Sequence, residues 1–245
     1  MKDRYQIILP VYNCEKTIIR TINSILYQTV LDEETYEDFG LTIIDNNCTD
    51  ETIEKIINMG HQINSKIEFE ILECDIKGIV PALNTGLFNS RFCDYRYVFR
   101  QDGDDLWYPN KLEKQINFLK NNKDIKILGT QIRAVNNTTH EPINEQMKRP
   151  TNDSEIKQWL FGNMNPLAHP SVVFDKEILL KTGGYDDFFP VAEDYVMWLK
   201  ASKWFKFANL EDTLVDYTVS HNVNYDPKVV QKACQFYKIL YKQLG

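Results

Sequence analysis

The run Tyr95-Arg96-Tyr97-Val98-Phe99-Arg100-Gln101-Asp102-Gly103-Asp104-Asp105 passes from a strand to an acidic turn. Its first half is rich in aromatic and β-branched residues, the composition of a buried strand. Its second half is a turn built on Gly103 and three aspartates. A strand that ends on paired carboxylates holds them at a sheet edge. Asp102 and Asp104, one residue apart, can both reach one hard cation such as Mg²⁺ or Mn²⁺ through oxygen. Gly103 between them lets the backbone approach a ligand closely. A plain acidic turn ahead of the helix at Pro109 would have the same composition, so the surrounding chain has to decide.

Working outward, the first half alternates short apolar runs with helical patterns. Tyr5 to Val11 (YQIILPV) reads as a buried strand, and Glu15 to Gln28 as a helix with Ile18, Ile22, Ile25 and Leu26 on one face. Leu41 to Ile44 is the next strand. Thr49 or Asp50 caps a helix reaching Met59. Ile67 to Leu72 is a strand, Gly78 to Asn89 a helix with Pro81 in its first turn, and Pro109 to Lys120 another helix. This alternation predicts an α/β fold with a mostly parallel central sheet flanked by helices. Ligands in such sheets bind beyond the carboxyl ends of the strands. Three polar clusters fall there: Tyr12-Asn13, Asp45-Asn46-Asn47 and Asp102 to Asp105.

The second half is less regular. Strands are expected at 125–135, 171–174, 205–208 and 213–219, and helices at 154–161, 175–181, 191–203 and, at the C-terminus, 226–244. Residues 136–153 read as a loop. No linker or shift in composition divides the chain, so 1–245 is expected as one domain. Residues 1–108 would be a Rossmann-like nucleotide-binding half, 109–225 an acceptor-binding half and 226–245 a terminal helix.

Composition excludes some partners. The 245 residues carry a net charge of −7, whereas a chain that grips phosphate backbones is normally basic, so nucleic acid is not expected. An acidic protein still binds a diphosphate when a divalent cation stands between them. Five cysteines with no zinc-like spacing read as free thiols in a reducing compartment. No signal-like apolar segment follows the N-terminus and no run is long enough to span a bilayer, so a cytoplasmic location is expected. The terminal segment Tyr237-Lys238-x-x-Tyr241-Lys242 leaves peripheral membrane association open beside plain helix packing. Nothing in the sequence sets the oligomeric state.

Two further features carry chemistry. Glu193 and Asp194 open a helix, where the dipole favours carboxylates; alternatively, one of them is a general base at a cleft mouth. His221 follows a predicted strand and is either structural or able to complete a metal shell or contact a phosphate.

The order of these motifs resembles the GT-A glycosyltransferases of family 2. Ile8-Leu9-Pro10-Val11-Tyr12-Asn13 looks like that family's opening strand, Ile44 to Asp50 like its acidic second loop, and Gly78 with Ala82-Leu83-Asn84-Thr85-Gly86 like its Gly-led helix. Asp102-Gly103-Asp104-Asp105 with Pro109-x-Lys111-Leu112 looks like its metal motif. His169 to Phe174, Gly183-Gly184-Tyr185-Asp186 and Ala192-Glu193-Asp194-Tyr195-x-x-Trp198-Leu199 resemble its later signatures, and Val219-Ser220-His221 its last element. The likeness runs from residue 6 to about 222.

The resemblance implies the roles. Pro10, Tyr12 and Asn13 would line the nucleoside pocket, with Tyr12 against the base. Asp45 and Asn46 would face base and ribose, Lys77 would help neutralise phosphate, and Asp102 and Gly103 would border the donor. Asp102, Asp104 and His221 would be the metal set, and Asp194 the catalytic base beside Glu193. The implied activity is inverting transfer of a sugar from a UDP-, dTDP- or GDP-linked donor, UDP favoured, to a hydroxyl of a glycan, lipid-linked saccharide or protein. Two departures stand out: Asn46 replaces the family's second acid, and Tyr217-Thr218-Val219 lacks its usual arginine. A nucleotidyltransferase would share the fold but usually has a Gly- and Arg/Lys-rich loop where Asn13-Cys14-Glu15-Lys16 stands. An inactive binding module would not need Asp104, Glu193, Asp194 and His221 together.

Overall fold

A computed structural model describes residues 3–32, 38–143 and 148–219, together with 228, 231, 232, 235–237 and 239. The strands are β1 (Arg4–Val11), β2 (Asp38–Asp45), β3 (Glu68–Glu73), β4 (Tyr97–Arg100), β5 (Leu106–Trp107), β6 (Ile125–Asn136), β7 (Val173–Asp175) and β8 (Lys206–Val219). The helices are α1 (Ile18–Leu26), α2 (Thr29–Asp32), α3 (Thr52–Asn58), α4 (Gly60–Asn64), α5 (Ile79–Phe88), α6 (Lys111–Asn121), α7 (Asp153–Phe161), α8 (Leu179–Thr182) and α9 (Glu193–Ala201).

The strands form one sheet in the order β3-β2-β1-β4-β7-β6-β8-β5. The β3-β2-β1-β4 stretch is parallel throughout, the order of a nucleotide-binding half-sheet. β7 enters antiparallel between β4 and β6, while β6 and β8 pair in parallel. Six of the eight strands therefore point one way, and the mostly parallel α/β architecture stands.

Side chains alternate between the two faces, as the strand period requires. Ile7, Leu9, Leu41, Ile43, Phe99 and Val173 pack with Ile18, Ile22, Ile25 and Leu112 from α1 and α6. Ile8, Ile44, Val98 and Phe174 pack on the other face with Leu83, Leu87, Val196 and Leu199 from α5 and α9. With both faces covered, the strands need buried residues at every position, which is why YQIILPV is a nearly continuous apolar run, its one polar member Gln6 donating to Thr42 Oγ1 and the Gly86 carbonyl.

Some elements differ from the sequence pattern. The strands expected at 205–208 and 213–219 are one strand, β8, because β6 pairs along its length, the extra residues of β8 bulging out where Gly129, Gln131 and Ile132 pair with Asn209, Thr213 and Val215. Leu106–Trp107, left unassigned between the turn and the helix at Pro109, is β5 and closes the far edge against β8. The C-terminal helix lies largely outside the described residues, although those described there are helical. No helix among the described residues is long and apolar enough to cross a membrane.

Candidate active site

The register brings the sequence clusters to one edge. Val11 pairs with Asp45 and Ile8 with Arg100, so β1, β2 and β4 finish together. The acidic turn after β4 is tied down by α1 and by the end of β8. Thr17 Oγ1 and Thr21 Oγ1 donate to the Gly103 carbonyl at 2.7 and 3.1 Å. Thr218 Oγ1 donates to the Asp104 carbonyl at 2.7 Å, and the Thr218 amide to Asp105 Oδ1 at 2.6 Å. Asp105, 1% exposed, is thus a brace for the turn. Asp102 and Asp104 line a cleft of about 570 Å³ with Pro10, Tyr12, Asn13 and Gly103. The space above Gly103 is taken by Cys14, whose Sγ would lie 2.8 Å from a Cβ built there. Close packing on Cys14 accounts for this glycine without a ligand.

Buried Arg100 reaches Asp102, with Nη1 2.6 Å from Oδ1. Asp104 has weaker compensation. Its carboxyl is pushed up to about 6 by burial and by the adjacent Asp102 charge, against the pull of Arg100 and Arg20. Two carboxylates crowded on one turn with incomplete neutralisation fit a hard divalent cation. Among the described residues no group of three His, Cys, Asp or Glu side chains is placed to hold a metal. The acidic turn offers such an ion two carboxylates, Asp102 and Asp104. His221, expected as a third ligand, lies outside the described residues.

At the end of β1, Tyr12 is half-exposed, and Lys77 Nζ donates to its hydroxyl at 2.8 Å. Asn13 takes the left-handed φ of 48° and accepts from the Thr49 amide at 2.8 Å, clasping the loops after β1 and β2. Asp45 Oδ1 accepts from the Cys48 amide at 2.8 Å. Asn46 departs from the expected contact with base and ribose. Its side chain is buried and grips the backbone of Gly78 at both ends: Nδ2 donates to the carbonyl at 2.8 Å and Oδ1 accepts from the amide at 3.1 Å. Gly78 has φ +138°, which a side chain would resist, and it starts α5. An aspartate could accept from Gly78 but not donate to it. Asn46 therefore works as a latch that sets the position of Lys77 and α5.

Glu193 and Asp194 form the first turn of α9, which starts from Ala192 at φ +60°. Asp194 Oδ2 accepts from Asn165 Nδ2 at 2.7 Å and Oδ1 from the Tyr195 amide at 2.6 Å, which aims the carboxylate. Burial raises its pKa; the His169 imidazole works against this and the Glu193 charge adds to it. Glu193 is the opposite case. Burial would raise it, but the hydrogen bond and charge of His169, with Nδ1 3.5 Å from Oε1, hold it below the usual range. The two neighbouring carboxylates are thus driven apart electrostatically, one held ionised by its imidazole partner and the other raised by burial.

The two acid groups share one electrostatic neighbourhood. The Tyr217 hydroxyl is raised by burial and then by the charges of Asp102, Asp105, Asp194 and Asp104. Tyr185 is likewise raised by burial, with Arg100 opposing and Glu193, Asp194 and Asp102 adding. Groups from residues 102–105 and 193–194 are thus in Coulombic reach of the same two phenols.

The sequence model described as "Glycosyl transferase family 2" matches residues 6–183. The chain belongs to glycosyl transferase family 2. This glycosyltransferase is 27% identical over 271 residues to bifunctional glycosyltransferase pgtA of Dictyostelium discoideum, covering 96% of this chain and 34% of that one. It therefore spans about a third of that relative's length. It is 29% identical over 240 residues to the O-antigen biosynthesis glycosyltransferase WbnJ of Escherichia coli, covering 97% of this chain and 88% of that one. S. aureus TarS in complex with UDP-GlcNAc superposes with a TM-score of 0.72 at 18% identity, covering 98% of this chain and 66% of that structure. That likeness establishes a shared GT-A fold.

Several residues of the glycosyltransferase's site were not singled out by sequence. His169 and Tyr185 lie inside quoted motifs, but their partnership, His169 Nε2 with Tyr185 OH at 2.8 Å, spans 16 positions. Asn165 has no local signal. Arg100 could have been suspected as a cation at the inner end of an acidic turn. Tyr217 lies in the stretch that lacks the family arginine, and its hydroxyl is raised by burial and by the charges of Asp102, Asp105 and Asp194.

Proposed function

We propose that this chain is a metal-dependent, inverting transferase that moves a sugar from a nucleotide-diphosphate donor, a UDP-sugar by preference, to a saccharide hydroxyl. What supports this reading is that carboxylates of both acidic clusters act on the same two phenols, Asp102, Asp104 and Asp194 on Tyr217, and Asp102, Glu193 and Asp194 on Tyr185. Tyr12, Asn13, Asp45 and Lys77 would hold the nucleoside end, and Asn46 would shape that end through Gly78. A bound Mn²⁺ or Mg²⁺ would supply charge neutralisation for the departing diphosphate. The UDP-GlcNAc held by TarS supports a uridine donor, and the name of WbnJ supports a glycan acceptor.

The step balances without further reactants. The acceptor oxygen bonds to the anomeric carbon, the bond from that carbon to the diphosphate oxygen breaks, and Asp194 takes the hydroxyl proton. Attack opposite the leaving group inverts the anomeric centre. Asn165 and the Tyr195 amide orient the base, and His169 keeps Glu193 ionised beside it. A correctly placed base contributes about 10²–10⁴-fold.

Incubation with UDP-glucose, UDP-galactose and UDP-N-acetylglucosamine plus Mn²⁺ tests the reading by product. Release of UDP is expected. Release of pyrophosphate would indicate a nucleotidyltransferase, and no release from UDP-, dTDP- or GDP-sugars would indicate a binding module.

A further inference from the structure

Beside the donor cleft lies a larger groove of about 730 Å³, whose lining includes Asp75, Ile76, Pro81, Phe88, Asp187 and Pro190. It runs along α5. Ile79, in the first turn of that helix, lines both hollows, and Phe88 is its last residue. At the helical rise per residue the groove leads roughly 15 Å away from the donor cleft. The opposite wall is the 185–190 segment, which a second amide latch ties to α5: Asn84 Nδ2 donates to the Tyr185 carbonyl at 2.9 Å and Oδ1 accepts from the Tyr185 amide at 3.0 Å. That segment runs directly into α9 and Asp194. One end of the groove thus opens at the donor, and one wall leads to the base.

We propose that this groove is the acceptor site and that the part of the acceptor lying in it is an uncharged saccharide. The proposal rests on the glycosyltransferase reading and names its second substrate. The lining chemistry suits sugar. Glu73, Asp75 and Asp187 present carboxylate oxygens, which accept from hydroxyl pairs. Phe88 and Ile76, 49% and 68% exposed, offer apolar faces for the C–H side of a pyranose. The same lining opposes anions. Among the described residues Lys77 is the one cation in it, against three carboxylates, and it already donates to Tyr12. A phosphate or pyrophosphate portion of an acceptor is held outside the groove by this charge.

The test uses methyl glycosides of glucose, galactose and N-acetylglucosamine, and the 6-phosphates of the same glycosides, with whichever UDP-sugar the enzyme hydrolyses in Mn²⁺. Wild type should glycosylate neutral probes and discriminate against the phosphates. Phe88→Ala should raise the acceptor KM about tenfold while donor hydrolysis without acceptor is unchanged. The Asp75→Asn/Asp187→Asn variant should narrow the neutral-over-phosphate preference, also about tenfold. Unchanged acceptor KM and preference in these variants would overturn the proposal. So would preference for the phosphates by wild type, or donor hydrolysis with transfer to none of the neutral probes. Absence of donor hydrolysis in wild type would instead bring down the glycosyltransferase reading itself.

Discussion

Asp194 carries the sharpest consequences at the scale of single residues. Asp194→Asn keeps the size and most hydrogen bonding but removes the proton acceptor, so kcat should fall by roughly 10²–10⁴-fold while donor affinity stays. Donor titration beside turnover checks this. As the proposed base, Asp194 has to be ionised, so turnover should fall as pH drops through its pKa. Burial and Glu193 raise that value, so the acid limb of kcat should lie above the ~3.9 of an ordinary aspartate. His169→Gln removes the imidazole that pulls both carboxyls down, and should move the limb further up. Cysteine reactivity is a second consequence. Cys14 borders the donor cleft, but burial pushes its thiol up to about 12, whereas Cys93 is exposed. Iodoacetamide at pH 8 should label Cys93 well ahead of Cys14, as peptide mass mapping would show.

At the scale of elements, two joints matter. β6 and β8 approach so closely at Gly129 that a Cβ there would lie 2.1 Å from Asn209 Oδ1 and 2.9 Å from a Leu167 methyl. Asn209 cannot yield cheaply, because its amide donates to the carbonyls of Pro150 and Pro166. Gly129→Ala should therefore cost about 1–3 kcal/mol, read as a lower denaturation midpoint at unchanged m-value. The other joint is α5, held at its start by Asn46 through Gly78 and in its middle by Asn84 through Tyr185. Tyr185 passes the constraint to His169, and His169 to Glu193. Asn84→Ala breaks two partly buried contacts to the backbone at about 1 kcal/mol each, and should lower kcat with donor binding kept. Tyr185→Phe, which removes only the hydroxyl, should share the kcat effect with little loss of stability. Equal loss of donor affinity and turnover in both variants would reduce α5 to scaffolding.

At the scale of the whole molecule, charge sets the conditions for binding. A chain with a net charge of −7 has to accept a donor that is itself an anion. The cleft meets it with carboxylates at Asp102 and Asp104, so donor binding should require the cation. A UDP-sugar at a hundred times its Kd stabilises the native state by about 2.7 kcal/mol. For a protein of this size that is a rise in Tm of roughly 5–10 °C. The rise should appear with Mn²⁺, vanish with EDTA, and be absent in Asp104→Ala at any Mn²⁺ concentration. An equal rise in EDTA would remove the metal from the account.

The order and kind of most elements follow from the sequence alone, because apolar spacing along YQIILPV or Ile18–Leu26 is a local property that burial on two sheet faces demands. The acidic turn and the clusters at the strand ends were legible for the same reason, since parallel strands deliver their carboxyl ends to one edge. What the sequence could not show depends on contacts between distant positions. Asn46 meets Gly78 across 32 positions and Asn84 meets Tyr185 across 101, and neither pairing leaves a periodic trace. The single strand β8 likewise exists because β6 lies beside it, not because residues 209–213 favour extension. Tertiary structure therefore decided which amides are latches, which of the two acids at the start of α9 lies against His169, and where the groove along α5 opens. Each of these depends on the energy of bringing polar groups out of water together, and that energy is set only once the fold has chosen their partners.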